Sequence, residues 1–219
     1  MTLLQLKTSI HGESGQSSRL ADAFVERQLA AAPETEVIVR DLTREPVPHL
    51  TAERFAAFLA KPEARTPEQR AVAAYSDRLI DELRRADTIV LGLPMYNFGI
   101  PSMLKAYFDH VARAGITFRY TDKGAIGLLT GKRAVVFATR GGRYAGTPRD
   151  LQTGYVRDFL AFLGITDVGF VYAEGLAISD ASRVAALAGA ANEIERIAGP
   201  KAPGTAAAGA AAPIEAVAA

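Results

Sequence analysis

Three stretches of the 219-residue chain carry residue types suited to holding a ligand. The first is His11-Gly12-Glu13-Ser14-Gly15-Gln16-Ser17-Ser18, at the entry to a helical pattern. Backbone N–H groups freed by glycine, side-chain hydroxyls and the positive end of a helix dipole are the parts of a phosphate cradle. The same residues also suit a polar loop with an ordinary serine N-cap. No Lys stands in a GKS or GKT context and no GxGxxG occurs, so this is neither a Walker A loop nor a dinucleotide fingerprint. A terminal monophosphate suits such a loop better than a triphosphate that needs magnesium. The second stretch is Pro94-Met95-Tyr96-Asn97-Phe98-Gly99-Ile100-Pro101, in which prolines bracket aromatic, thioether and amide groups. Such a loop can lay apolar side chains on a flat ring while its backbone meets the ring's polar edge, or it can pack under the next helix. The third is Thr139-Arg140-Gly141-Gly142, where paired glycines permit close backbone approach to a ligand or form a plain turn.

The composition narrows what else can do chemistry. Zero cysteine excludes disulfides, thiolate nucleophiles and Cys-ligated metal centres. The three histidines, His11, His49 and His110, are far apart, which argues against a multi-histidine metal site. Lys plus Arg number 25 against 24 Asp plus Glu, so the net charge of +1 leaves no electrostatic footprint for nucleic acid. The start, MTLLQLKTSI, lacks the basic and apolar regions of a secretory signal, and no apolar run is long enough to span a bilayer. These absences lead to the expectation of a cytoplasmic protein. Residues 1–199 read as one working domain. Residues 200–219, an Ala/Pro/Gly-rich stretch broken by Pro203, Gly204, Gly209 and Pro213, read as a flexible tail.

The elements that must position the three loops are five β-like runs, each followed by a helical pattern. They are Leu3–Ile10, Glu36–Leu42, Thr88–Leu93, Arg133–Ala138 and Val168–Tyr172. The third and fourth are nearly continuous apolar runs, as strands covered on both faces require. Ser17 or Ser18 is positioned to cap the first helix. Thr66-Pro67-Glu68-Gln69 fits a capping box with proline at the first helical position. Asp150 opens the helix carrying Tyr155, Phe159 and Leu163, and Leu104, Tyr107, Phe108 and Val111 recur at helical spacing. Alternating strands and helices predict a three-layer α/β/α sandwich on a five-stranded parallel sheet. The expected strand order is 2-1-3-4-5, with 49–67 and 115–132 as insertions. Ligands bind beyond the carboxyl ends of such strands, where all three loops lie. A phosphate cradle, an aromatic wall and a glycine edge on one side of one sheet suit a flat heterocycle with a monophosphate tail, such as FMN. With no other reactive group in evidence, the cofactor would carry the hard step.

At these residues the sequence closely resembles the FMN-dependent NADH:quinone oxidoreductase/azoreductase family of flavodoxin-like enzymes. The resemblance rests on PMYNFGIP, LKAYFDHVARAGITFRYTDKG, GLLTGK, RGG and FLGITDVGFVYAEGLA, and runs from about residue 1 to 198. It implies a homodimer with two FMN sites at the subunit interface. It also implies phosphate-side contacts at Ser9, Gly15, Gln16 and Ser17. The isoalloxazine loop would be Met95, Tyr96, Asn97 and Phe98, and the second ring-edge loop Thr139, Arg140, Gly141 and Gly142. Tyr120 and Phe162 match aromatic positions of the substrate pocket. Two positions depart from the family pattern: Gly15 stands where Ser is frequent, and Tyr144 where a His commonly follows the glycine pair.

The implied chemistry is a ping-pong relay. Hydride passes from NADH to flavin N5, then two electrons pass to a quinone or an aromatic azo compound, with no side chain as nucleophile. Arg119 and Arg140 are electrostatic candidates for a reduced ring or an anionic substrate, or else members of salt bridges. The competing readings are an NAD(P)H:FMN reductase that releases reduced flavin and a flavodoxin-type electron carrier. The near-neutral charge and the FRYT insertion weigh against the carrier.

Overall fold

A computed structural model describes residues 1–198, and the tail expected at 200–219 lies outside the described residues. Five parallel strands form the central sheet: β1 (Thr2–Lys7), β2 (Glu36–Asp41), β3 (Thr88–Pro94), β6 (Arg133–Thr139) and β7 (Asp167–Ala173). Between β3 and β6 the chain adds an antiparallel hairpin, β4 (Phe118–Thr121) with β5 (Gly124–Gly127). The sheet order is therefore β2-β1-β3-β6-β7, where the sequence led us to expect 2-1-3-4-5. The difference is the hairpin, which occupies the segment read as an insertion and takes two strand numbers without joining the sheet.

Helices cover both faces, which is why β3 and β6 are almost wholly apolar. On one face lie α1 (Gln16–Ala31) and α6 (Asp180–Ala198), closing a core of Leu3, Phe24, Val90, Val135, Phe137 and Ile194. On the other lie α3 (Pro67–Arg85), α4 (Ser102–Val111) and α5 (Leu151–Phe162), over Leu4, Leu6, Leu79, Ile89, Tyr107 and Leu160. The α4 row Leu104, Tyr107, Phe108 and Val111 is fully buried core. The capping box of α3 is present in full: Thr66 Oγ1 accepts from Gln69 N, and Gln69 Oε1 accepts from Thr66 N. Residues 49–67 contain a further helix, α2 (Ala52–Leu59), capped by Thr51. It docks on α3 and α4 through Phe58, whose ring meets His110 edge-on and lies under the Arg113 guanidinium.

His110, in the last turn of α4, is buried. Its Nε2 lies 3.0 Å from the Pro48 carbonyl, which only accepts, so the Nε2–H tautomer is present; Nδ1 has no partner. No helix among the described residues is long and apolar enough to cross a membrane.

Candidate functional site

β1, β3 and β6 are adjacent in the sheet, and their carboxyl ends release the three loops side by side. The chain leaves β1 at Lys7, earlier than the apolar pattern suggested. Thr8 Oγ1 turns in to donate to the Gly92 carbonyl at 2.7 Å, and Gly12 N closes a turn on the Ser9 carbonyl. Helix α1 then begins, with Gly15 as its N-cap and no side-chain cap. This corrects the expectation that Ser17 or Ser18 caps it, because both serines already lie within the helix. Gly15 leaves room for Ser9: an added Cβ would come within 2.1 Å of Ser9 Oγ, so a larger residue here requires Ser9 to shift. Gly92 likewise brings β3 against the first turn of α1, where a Cβ would sit 3.1 Å from the Ser17 carbonyl.

The first turn of α1 has the properties of an anion site. By helix geometry, the N–H groups of Gln16, Ser17 and Ser18 have no carbonyl in the helix to donate to. Ser17 and Ser18 are buried, and neither hydroxyl has a hydrogen-bond partner. A buried orphan hydroxyl costs about 1–3 kcal/mol, and a bound oxyanion removes that cost. Ser9 is also buried, and its Oγ accepts from His11 N at 3.3 Å. Gln16 is half-buried at the helix start. This donor set fits the phosphate of FMN. Glu13, in the same loop, is paired outward with Arg44 at 3.0 Å.

The second loop makes a tight reversal. Tyr96 N donates to the Gly99 carbonyl and Gly99 N to the Tyr96 carbonyl, so Asn97 and Phe98 occupy the turn. Their φ values are +49° and +66°, left-handed conformations that cost a side-chain-bearing residue about 1–2 kcal/mol each. Asn tolerates this region better than Phe does, so the strain resides mainly at Phe98. The turn leaves Phe98 half-exposed as a wall. The Tyr96 hydroxyl accepts from Ile10 N at 3.1 Å and lies 3.4 Å from Ser9 Oγ, joining this loop to the first. Met95 N donates to the Thr139 carbonyl at 3.0 Å, joining it to the third.

In the third loop Thr139 is buried, while Gly141 and Gly142 reach the surface. The Tyr144 ring folds back over Gly142, where a Cβ would lie 2.8 Å from the phenol oxygen, and stands edge-on against Phe98. Arg140 does not present its charge to this surface. Its guanidinium is fully buried and donates to Asp150 at 2.8 Å, Glu174 at 3.0 Å, and Gln152 and Thr153 at 3.2 Å each. Of the two alternatives for Arg140, the structure shows the ion pairs, and places them inside the molecule. Asp150 is half in the same network. Burial raises its carboxyl, but hydrogen bonds from Arg140 and Thr153 outweigh burial and hold it below the usual carboxylate range.

The hairpin supplies the remaining aromatic residues. Phe162, at the end of α5, packs on Phe118 at 4.3 Å between ring centres, and Phe118 meets Tyr120 edge-on at 5.4 Å. Tyr120 is thus held by a column of rings yet is largely exposed. The hairpin is seated backbone to backbone: a Cβ on Gly127 would lie 2.0 Å from Gly164 N. Among the described residues no hydrogen bond or ring pair joins Tyr120 or Phe162 to the three loops.

Sequence reasoning missed Gln152 and Glu174, and it read Asp150 only as a helix start. Glu174 accepts from Arg140, from Tyr144 N and from Ala145 N, and so shapes the third loop. Its one sequence signal is an acidic residue directly after a strand in YAEG.

Comparison with known proteins agrees with this geometry. A family profile described as the flavodoxin-like fold matches residues 1–198. A protein of Cellvibrio japonicus named FMN-dependent NADH:quinone oxidoreductase is 53% identical over 195 residues, covering 89% of this chain and 97% of the relative. One of the same name from Alcanivorax borkumensis is 54% identical over 194 residues, covering 89% and 98%. Among solved structures, azoreductase AzrA superposes with a TM-score of 0.83 at 28% identity, covering 90% of this chain and 99% of its own. An FMN-dependent NADH-azoreductase of Bacillus anthracis in complex with FMN gives a TM-score of 0.81 at 28% identity, covering 90% and 96%.

Proposed function

The chain belongs to the flavodoxin-like family and, within it, to the FMN-dependent NADH:quinone oxidoreductases, and on that premise we propose that it reduces quinones and aromatic azo compounds with electrons from NADH. It is an oxidoreductase whose cofactor is FMN. When bound, FMN supplies the redox chemistry, two-electron hydride transfer through flavin N5 in alternating half-reactions with NADH and then with the acceptor.

The chain's own residues bind and orient. Ser17, with the backbone N–H groups of Gln16 and Ser17, holds the phosphate, aided by Ser9. Met95 to Phe98 form one side of the ring site, and Thr139 to Gly142 offer backbone to its edge. Tyr120 and Phe162 line the acceptor side, completed by a second subunit in a cytoplasmic homodimer. The observation that carries this reading is the buried, unpartnered Ser17 hydroxyl at the end of three adjacent strands that also deliver an aromatic wall and a glycine edge.

Anaerobic titration of the FMN-loaded protein with NADH tests it. The flavin absorbance should bleach, and benzoquinone or an azo dye should restore it. A flavin that NADH does not bleach makes the protein a carrier. Turnover that requires added free FMN as substrate makes it a flavin reductase.

A further inference from the structure

The second and third loops are joined beneath the surface by one side chain. Gln152, in the first turn of α5, is fully buried. Its amide nitrogen donates to the Pro94 carbonyl at 3.0 Å and to the Gly99 carbonyl at 2.9 Å. Those two carbonyls bracket the Met95–Phe98 segment at its base and at the close of its strained turn. Its amide oxygen accepts from Arg140 Nε at 3.2 Å. Arg140 passes the connection to Glu174, whose carboxylate holds Tyr144 N and Ala145 N. Both N–H donors of Gln152 are therefore used on one ring-side loop, and its carbonyl is used on the arginine that fixes the other. The loops meet again at the surface, where Phe98 stands against Tyr144.

We propose that Gln152 is a positioning residue that locks the two ring-side loops into one fixed relation, and that this relation sets the affinity and redox potential of the bound flavin. The inference rests on the FMN reading above. The left-handed conformations of Asn97 and Phe98 persist only where the surroundings over-determine them. Gln152 is the side chain that grips the turn from below. It does not touch the reacting surface, so its influence travels through the loop carbonyls it holds. A shift of either loop changes how wall and backbone edge meet the oxidised and the reduced ring, and a potential is the difference between those two affinities.

Two variants test this in the full-length, FMN-loaded protein. Gln152→Glu keeps the shape and the acceptor for Arg140 but replaces both donors with a carboxylate facing two carbonyls. Gln152→Met keeps the volume, removes all three hydrogen bonds and buries no new charge, so it carries the test if the first variant fails to fold. The readouts are the FMN dissociation constant, the visible circular dichroism of the bound flavin and its midpoint potential, alongside the thermal midpoint of the apoprotein. Both variants should weaken FMN at least tenfold, alter the dichroism and shift the potential, with Gln152→Glu the stronger. Wild-type affinity, spectrum and potential in Gln152→Met, with only the thermal midpoint lowered, overturn the inference and leave the FMN reading standing. A wild-type protein that takes up no FMN overturns both.

Discussion

Replacing Arg140 with methionine gives the sharpest test of how the third loop is held. The arginine side chain has no exposure, and its partners Asp150 and Glu174 are 7% and 15% exposed. Methionine fills much of the volume but strands two carboxylates that water reaches poorly. Removing one partner of a buried ion pair costs about 3–5 kcal/mol, chiefly because the remaining charge is left uncompensated. Both acids share one cation, so the two losses do not simply add. The expected cost is roughly 4 kcal/mol, against a total of about 5–15 kcal/mol for an ordinary domain. In this size range that lowers the melting temperature by roughly 8–16 °C.

The assay is urea unfolding of the apoprotein at neutral and mildly acidic pH. In the wild type the Asp150 carboxyl sits below its usual range, so its contribution is present at neutral pH and is lost as pH falls through the depressed value. In Arg140→Met the sign reverses. With the cation gone, burial raises the Asp150 carboxyl, and its protonation relieves the variant, so the gap from wild type narrows as pH falls from 7 towards 5. A triple variant with Asp150→Asn and Glu174→Gln should recover most of the loss. A cost below about 1 kcal/mol at pH 7, or a gap that widens on acidification, refutes the reasoning.

Three further outcomes are expected. Ser17→Ala should leave apoprotein stability unchanged or slightly higher, because it deletes an orphan hydroxyl, yet weaken FMN roughly 10- to 100-fold in a fluorescence titration. Gly127→Ala should cost about 1–3 kcal/mol in chemical denaturation, since its methyl meets the Gly164 backbone, whereas Gly154→Ala, in α5 with open space around it, should stabilise by about 0.5–1 kcal/mol. His110 is held below its ordinary value mainly by burial, so the unfolded chain takes the proton first. Stability should fall as pH drops below about 6.5, with a slope no steeper than about 1.4 kcal/mol per pH unit, measured as the difference from His110→Gln across pH 6.5 to 5.5.

The parallel sheet was legible because β3 and β6 are buried on both faces and leave unbroken apolar runs. The hairpin was not. Its strands are four residues each, and Gly124-Ala125-Ile126-Gly127 has weak β-propensity, so only its seating on Gly164 shows it as structure. The three loops could be read because each follows a strand and concentrates glycine, hydroxyl or aromatic residues. What holds them could not. Gln152 reaches Pro94 across 58 positions, and Glu174 reaches Arg140 across 34, without any local pattern. Arg140 beside two glycines looks like an exposed donor, and only the fold reveals that two acids and an amide enclose it. The serines at 17 and 18 show the converse. Their type invited a capping role, but the helix begins two residues earlier, so their hydroxyls are left to something other than the helix.

The hairpin's mode of attachment bears on how freely its outer face can change. It enters in the crossover between α4 and β6, where added chain leaves the pairing of the parallel strands untouched. It is fastened by Gly127 against Gly164 and by the tilted Phe118–Phe162 ring contact, both on its inner side. Arg119 and Ile126, paired on the opposite face, are exposed, and Tyr120, though its ring leans on Phe118, is largely exposed as well. Substitutions there change this outer face without touching the first turn of α1 or the strained turn at Asn97–Phe98. Residues 118–127 thus form an appended unit whose attachment rests on two glycines, Gly127 and Gly164, and two phenylalanines, Phe118 and Phe162, while its outer face carries no part of that attachment.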